Sequence, residues 1–334
     1  MTAGAPGSSA SETDGRELGQ RLAARDLSAA ASVLNLVENR SPAALEQTAA
    51  LLEAVSVRAL GHEAPGQIVG VTGPPGVGKS SLLSRLLARW RASDRSVAVL
   101  AVDPSSRRSG GSLLGDRVRI ERDPADQQVF IRSTAAGDRL GGLAAATRAG
   151  ATALAAAFDV VVIETVGVGQ SETEIADVAD EVAVVVQPGS GDVLQFLKSG
   201  IMEIPDVLVV TKADLGAVAD RALGDLRAAL RSLGADSVPV VAVSSVSPPA
   251  GIDELVALLD QRHRKLDLSA HRLHGRRAAA LSQFTVEHGE RGLRALGGPR
   301  TARAWLGAQP AQLDLPALVR GLESRAQRLR GPAR

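Results

Sequence analysis

Gly73, Pro74, Pro75, Gly76, Val77, Gly78, Lys79 and Ser80 reproduce the spacing G-x-x-x-x-G-K-[ST] in full. Glycines at those positions let the backbone curl around an anion, so that successive N–H groups and a helix N-terminus point at phosphate oxygens. Lys79 would reach the β- and γ-phosphates, the Ser80 hydroxyl would sit on Mg²⁺, and Ser81 would close the phosphate-binding set. The flanks agree. An apolar run from Ile68 to Val71 predicts a strand, and Leu82, Leu83, Leu86 and Leu87 give helical spacing after it. These residues imply a site for a nucleoside triphosphate.

A Mg²⁺–triphosphate site also needs a carboxylate at the end of a neighbouring strand. Asp103 ends the run Val99 to Val102, and Glu164 ends Val160–Ile163. A carboxylate closing a buried strand is costly unless something neutralises it. Mg²⁺ would do so, and a structural ion pair is the plainer alternative. Lys79, Glu164 and Asp103 are therefore the expected catalytic residues. Gly167 stands where a backbone N–H can detect the γ-phosphate, which makes Glu164-x-x-Gly167 a candidate switch. The glycine-dense stretch Ser109 to Ser112 predicts a second mobile loop, with Asp116 as a further Mg²⁺ ligand. Arg117 or Arg119 would either stabilise transition-state charge or pair with Asp116.

Thr211-Lys212-Ala213-Asp214 follows the run Val207–Val210, in the place of a guanine-reading N-K-x-D motif. A carboxylate at Asp214 can accept from both the N1–H and the exocyclic amine of guanine. Adenine offers neither donor, so the unpaired carboxylate would reject it. One strand later, Ser244, Ser245 and Val246 are positioned to touch the base through backbone N–H groups. The expected ligands are GTP and GDP with Mg²⁺.

Positioning these groups requires a particular scaffold. Seven short valine-rich runs, at Ile68–Val71, Val97–Val102, Val129–Ile131, Val160–Ile163, Val182–Val186, Val207–Val210 and Val238–Val243, are apolar on both faces. They predict a doubly wound, mostly parallel α/β sheet with its ligand at the carboxyl ends of the strands. The 334 residues divide into an expected disordered tail (1–15), an N-terminal helical segment (16–64), a P-loop GTPase domain (65–262) and a C-terminal helical segment (263–334). Ser41-Pro42 marks a helix start within the N-terminal segment.

Composition narrows the class further. Apolar residues make up 45 % of the chain, yet only four Phe and two Trp are present, so the core must be aliphatic. A balance of 38 basic and 37 acidic residues argues against a nucleic-acid binder driven by bulk charge. The absence of cysteine excludes disulfides and thiolate metal sites. With no signal peptide and no long apolar segment, the expectation is a soluble, cytoplasmic protein that engages neither membrane nor nucleic acid. Arg262, Arg264, Lys265, Arg272, Arg276 and Arg277 form a basic cluster that predicts a solvated helix face. His263, His271 and His274 lack a carboxylate or cysteine at ligand spacing, so no metal site is expected among them.

The motifs together resemble the MeaB/ArgK family of GTPases, within the SIMIBI class of dimerising NTPases. The resemblance runs over about residues 18 to 260. It is carried by Val71 to Ser80, Asp103-Pro104-Ser105-Ser106, Ser109 to Arg117, Phe130 to Ser133, Glu164 to Glu172, Gln187 to Asp192 and Lys198 to Ile204. It implies a GTPase chaperone of an adenosylcobalamin-dependent acyl-CoA mutase, methylmalonyl-CoA mutase by default, that gates cofactor loading and protects the mutase. It also implies a homodimer, Ser80, Asp103, Asp116 and Glu164 on the Mg²⁺ side, and a third switch from Gln187 to Lys198. One departure stands out: Thr211 replaces the family's Asn, and its shorter hydroxyl is expected to keep only part of the bridge between base and phosphate loop. Val168 follows Gly167, and Gln170 comes two positions later, so no water-orienting Gln is directly in place. Slow turnover, raised by a partner, is the expectation. The alternatives are a kinase linked to basic amino-acid transport, a metal-insertion GTPase, which the lack of cysteine disfavours, and a module using nucleotide as a structural ligand.

Overall fold

Strands that are apolar on both faces are stable only in a sheet covered on both sides. The computed structural model, which describes residues 14–103, 120–135, 145–165, 171–189 and 205–330, builds that sheet from seven strands. They are β1 (Gln67–Thr72), β2 (Val97–Asp103), β3 (Val129–Ala135), β4 (Val160–Thr165), β5 (Glu181–Val186), β6 (Val207–Val210) and β7 (Val240–Ala242). Every neighbouring pair is parallel, in the order β3-β2-β4-β1-β5-β6-β7. The chain leaves β1 towards one side for β2 to β4 and then crosses to the other for β5 to β7. That puts the topological switch point, where doubly wound sheets bind ligands, at the end of β1.

Alternation along the strands feeds two separate cores. In β5, Val182, Val184 and Val186 face one and Ala183 and Val185 the other. The first core is covered by α1 (Gly15–Ala23), α2 (Ala30–Glu38), α3 (Pro42–Ala54) and α6 (Ala145–Leu154). Between α3 and β1 lies the single-turn α4 (Val57–Leu60). The helix α1 starts behind Asp14, whose side chain accepts from the Arg16 and Glu17 N–H groups. Pro42 opens α3 behind the Ser41 cap. The second core is covered by α5 (Lys79–Arg91), which contributes Leu82, Leu83, Leu86 and Trp90, and by a later helix that contributes Leu255 and Leu259.

After β4 come α7 (Ser171–Ala176) and, past β6, α8 (Ala217–Ser232). The C-terminal part consists of α9 (Ile252–Lys265), α10 (Leu268–Ala295), α11 (Pro299–Gly307) and α12 (Leu315–Arg330). The last three share a third core around Phe284, Leu306, Leu318 and Leu322. Gly289, at φ 60° and ψ −165°, breaks α10 into two helical pieces. No helix among the described residues is long and apolar enough to cross a membrane.

The basic cluster at the start of these helices is largely not a solvated face. The Arg272 fork grips Asp180 at 2.6 Å and 2.8 Å and also donates to the carbonyls of Ala64 and Gly66. Arg262 pairs with Asp206, Arg276 with Glu63, and Arg277 donates to the carbonyls of Gly307 and Gln309. Only Arg264 and Lys265 are exposed as the spacing suggested. A planar guanidinium matches carboxylates and carbonyls that the fold brings from distant segments, which local spacing does not reveal.

His263 likewise acquires carboxylates, with Nδ1 3.1 Å from Glu181 and 3.9 Å from Asp180. This corrects the expectation that no carboxylate would stand near it, for ligand atoms of Asp180, Glu181 and His263 lie within 4.8 Å of one another. The Asp180 oxygens are consumed by Arg272 and by the Ile68 N–H, and the second Glu181 oxygen accepts from Gln67. Such a satisfied network is structural.

Asp180 is wholly buried, so removing its partner strands a charge. Replacing Arg272 by Met should lower unfolding stability by about 3–5 kcal/mol. Urea unfolding of the variant beside the parent protein measures it; a loss below about 1 kcal/mol would show the pair to be dispensable.

Candidate nucleotide site

The loop between β1 and α5 gets its shape from three residues with positive φ, Gly73 (145°), Gly76 (77°) and Gly78 (96°). Gly73 is pressed against β5, where a Cβ would lie 2.1 Å from the Val185 carbonyl oxygen. At Gly76 a Cβ would meet nothing within 4 Å, so the crest of the loop faces open space. Pro75 and Gly76 are exposed, whereas Val77 is buried in the second core and pins the loop from beneath.

Gly78 caps α5 without any side-chain bond, and the first helical bond runs from the Leu82 N–H to the Gly78 carbonyl. The N–H groups of Lys79, Ser80 and Ser81 therefore have no acceptor within the helix, and they point where an anion would sit. Lys79 is buried, with Nζ donating to the carbonyls of Gly73 (2.8 Å) and Pro74 (3.0 Å). Its ammonium is thus already held along the loop.

On the metal side, the Ser80 hydroxyl donates to Glu164 Oε1 at 3.3 Å. Glu164 is only 7 % exposed, at the carboxyl end of β4. Register places Ala101 opposite Glu164 and Val102 opposite Thr165, so Asp103 ends the adjacent strand on the same edge. A hydroxyl and a carboxylate oxygen, converging beside a phosphate loop, form the hard-oxygen donor set that Mg²⁺ takes. The residues present fit the ion. Asp116 and Gly167 lie outside the described residues, as do Ser109 to Ser112, Arg117, Arg119 and Gln170, and so does most of the stretch from Gln187 to Lys198.

On the base side, the structure gives Thr211 a firmer hold than its size suggested. Its buried hydroxyl lies 2.6 Å from the Val77 carbonyl and 3.1 Å from the Val186 carbonyl. The bridge to the phosphate loop is made through loop backbone, and a short side chain suffices because Thr211 abuts Gly78. Lys212 adopts a left-handed conformation (φ 56°), and its ammonium donates to Gln187 Oε1.

Asp214 Oδ1 accepts from the Ser244 hydroxyl at 2.8 Å, and that hydroxyl in turn accepts from the Val246 N–H at 3.2 Å. The Ser244 N–H is spent on the Ala250 carbonyl. Two of the three backbone donors expected to face a base are therefore engaged within their own loop. Instead, the Ser244 side chain orients the Asp214 carboxylate. Arg85, on α5, fixes the same loop by donating to the Ser245 carbonyl at 2.9 Å. Neither role has a local sequence signal, since each depends on two loops meeting across the sheet edge.

Comparison with known proteins places this geometry among relatives. The family model for methylmalonyl-CoA mutase-associated GTPase MeaB matches residues 30–291. Two bacterial proteins with provisional GTPase designations are similar, one from Caulobacter vibrioides (43 % identical over 254 residues, 75 % of this chain and 76 % of that one). The other, from Mycobacterium tuberculosis, is 39 % identical over 259 residues, 75 % of each chain. The mitochondrial methylmalonic aciduria type A homolog of Caenorhabditis elegans is 36 % identical over 231 residues, 67 % of this chain and 56 % of that protein. Among solved structures, an LAO/AO transport system kinase superposes with a TM-score of 0.63 at 26 % identity, covering 96 % of this chain and 100 % of that one.

Two substitutions separate holding the loop from reading the base. Thr211→Val removes the hydroxyl and leaves a buried carbonyl short of a donor, so GDP and GTP affinity should fall about tenfold. The preference over adenine nucleotides should persist, because Asp214 is untouched. Asp214→Asn should instead erase the preference itself. Calorimetric titration with GDP and ADP measures both, and equal affinity of the parent protein for the two would refute the base assignment.

Proposed function

The chain belongs to the MeaB family of methylmalonyl-CoA mutase-associated GTPases, and we propose that it hydrolyses GTP slowly as a chaperone of an adenosylcobalamin-dependent acyl-CoA mutase. In this reading it gates cofactor loading of the mutase and protects it, with methylmalonyl-CoA mutase the first candidate client. It works as a homodimer joined through its C-terminal helices. The observation that carries the proposal is the family match over residues 30–291, which spans the whole sheet edge from the phosphate loop to Ser244.

In the reaction, water attacks the γ-phosphorus of GTP, the bond to the β-phosphate oxygen breaks, and GDP and phosphate leave. Lys79 and the first-turn N–H groups of α5 hold the phosphates in line. Ser80, Glu164 and Asp103 would hold Mg²⁺, with Asp116 as a further ligand; the ion supplies neutralisation of the charge that builds on the phosphate oxygens. Thr211 holds the loop that carries these groups, and Asp214, oriented by Ser244, selects guanine. Because Val168 follows Gly167, no glutamine stands directly behind the expected γ-phosphate sensor to orient the water. Turnover is therefore slow until a partner completes the arrangement, as suits a timer.

The decisive experiment is phosphate release from GTP by the purified protein, alone and with added mutase. Stimulation by one mutase of at least about tenfold is expected, and Lys79→Ala should abolish the activity. GTP hydrolysis that no mutase stimulates would refute the chaperone assignment while leaving a GTPase. Transfer of the γ-phosphate to a protein acceptor, without release, would favour a kinase instead.

A further inference from the structure

Between the N-terminal helical layer and the C-terminal helices lies a cavity of about 80 Å³. Its walls come from α3, from β1 at Ile68, from α6, from the turn after α7 and from α10. Gly275 allows α10 to close it, since a Cβ there would fall 2.2 Å from the Asp177 carbonyl oxygen. Much of the lining is aliphatic, with Leu52, Ile68, Val178 and Ala279 among it.

Most of the polar groups in the wall already have partners. Arg272 is taken by Asp180 and Arg276 by Glu63. His271 Nε2 meets the Ala179 carbonyl, and Asp314 Oδ1 accepts the Ala317 N–H at 2.7 Å. Arg148 and Asp177 differ. Arg148 Nη1 is buried, and no described residue supplies an acceptor for it. The Asp177 carboxylate feels Arg148, His274 and His271 only at a distance, without a hydrogen bond. Burial pushes the Asp177 carboxyl above its ordinary range, offset in part by the charges of Arg148, His274 and His271, and pushes the Arg148 guanidinium below its own, offset in part by Asp177 and Glu174. Two opposite charges thus line one cavity, attract each other and do not touch.

A buried guanidinium nitrogen without an acceptor is costly, and the half-buried Asp177 carboxylate opens onto the same cavity, so the pair favours an occupant that meets both. A simple anion would leave Asp177 unmatched, a simple cation would leave Arg148, and a neutral apolar molecule would leave both. We propose that this cavity binds a free α-amino acid with a short aliphatic side chain, its carboxylate on Arg148 and its ammonium on Asp177. The space equals that of about five to eight water molecules, which suits a solute in the range from alanine to leucine. The aliphatic wall takes the side chain.

This site is separate from the nucleotide. Ile68 lies at the opposite end of β1 from Gly73, five residues or about 16 Å away, so the bound solute cannot receive a phosphoryl group from the loop. Its occupancy stands or falls independently of the GTPase reading.

The test is calorimetric titration of the full-length, GDP-loaded protein with alanine, valine, leucine and isoleucine, beside isovalerate (acid only) and isobutylamine (amine only). Saturable binding of at least one amino acid is expected, at least tenfold tighter than either single-charge analogue. Asp177→Asn and Arg148→Met should each weaken it tenfold or more, and Arg148→Lys should retain part of it, all with GDP affinity unchanged. Absence of saturable binding by all four amino acids, or isovalerate or isobutylamine binding as tightly as the best of them, overturns the proposal. Because that comparison needs only the unmutated protein, a variant that fails to fold does not rescue it.

Discussion

A parallel sheet leaves the carboxyl ends of all its strands on one edge, and the candidate nucleotide site depends on that constraint. Four strands contribute. β1 delivers the phosphate loop, β4 delivers Glu164, β2 delivers Asp103 and β6 delivers Thr211 with Asp214. None of these residues is near the others in sequence, yet pairing register brings Glu164 and Asp103 to one line and Ser80 to within 3.3 Å of Glu164. The strands β1, β4, β5 and β6 are buried on both faces, so a register slip would move whole sets of valines out of their cores. Apolar packing therefore fixes where the strands deliver these residues, and hydrogen bonds such as Thr211 to the Val77 carbonyl then set the loops between them.

The opposite end of the sheet solves a different problem. There, Asp180 accepts from the Ile68 N–H, its own N–H binds the Ile68 carbonyl, and its carboxylate takes the Arg272 fork. One buried carboxylate thereby ties β1, β5 and α10 together. Arg272 extends the tie to the Ala64 and Gly66 carbonyls, just before β1. Removing either partner leaves a charge in a place water cannot reach, so the C-terminal helices are committed to this end. The cavity beside Arg148 and Asp177 lies in that same junction, where three layers meet and packing is hardest to complete.

How much of this was legible in the chain follows from which interactions are local. The phosphate loop and the seven strands are written in consecutive residues, as glycine spacing and runs of valine. Those expectations match the observed strands to within a few residues. The fate of the arginines was not legible, because Arg272 and Asp180 are 92 positions apart and nothing in either neighbourhood names the other. His263 read as partnerless for the same reason, since its carboxylate, Glu181, arrives on β5 from 82 positions away. Ser244 was singled out for its backbone, yet its hydroxyl is what touches Asp214; side-chain direction across two loops is set by the fold.

Thr211 shows how such a non-local fact changes a chemical inference. Judged by length alone, a hydroxyl is a poor substitute for a carboxamide that must span from base to loop. In the folded protein the two tasks are divided. Thr211 sits close enough to Gly78 and Val77 for a hydroxyl to hold the loop through a backbone carbonyl. The carboxylate proposed to read the base, Asp214, is oriented from elsewhere, by Ser244, whose loop is in turn held by Arg85 on α5. Since α5 begins at Lys79, the helix whose N-terminus is proposed to meet the phosphates also braces the Ser244–Val246 loop. Both ends of the candidate site are thus referred to one rigid element, the helix α5.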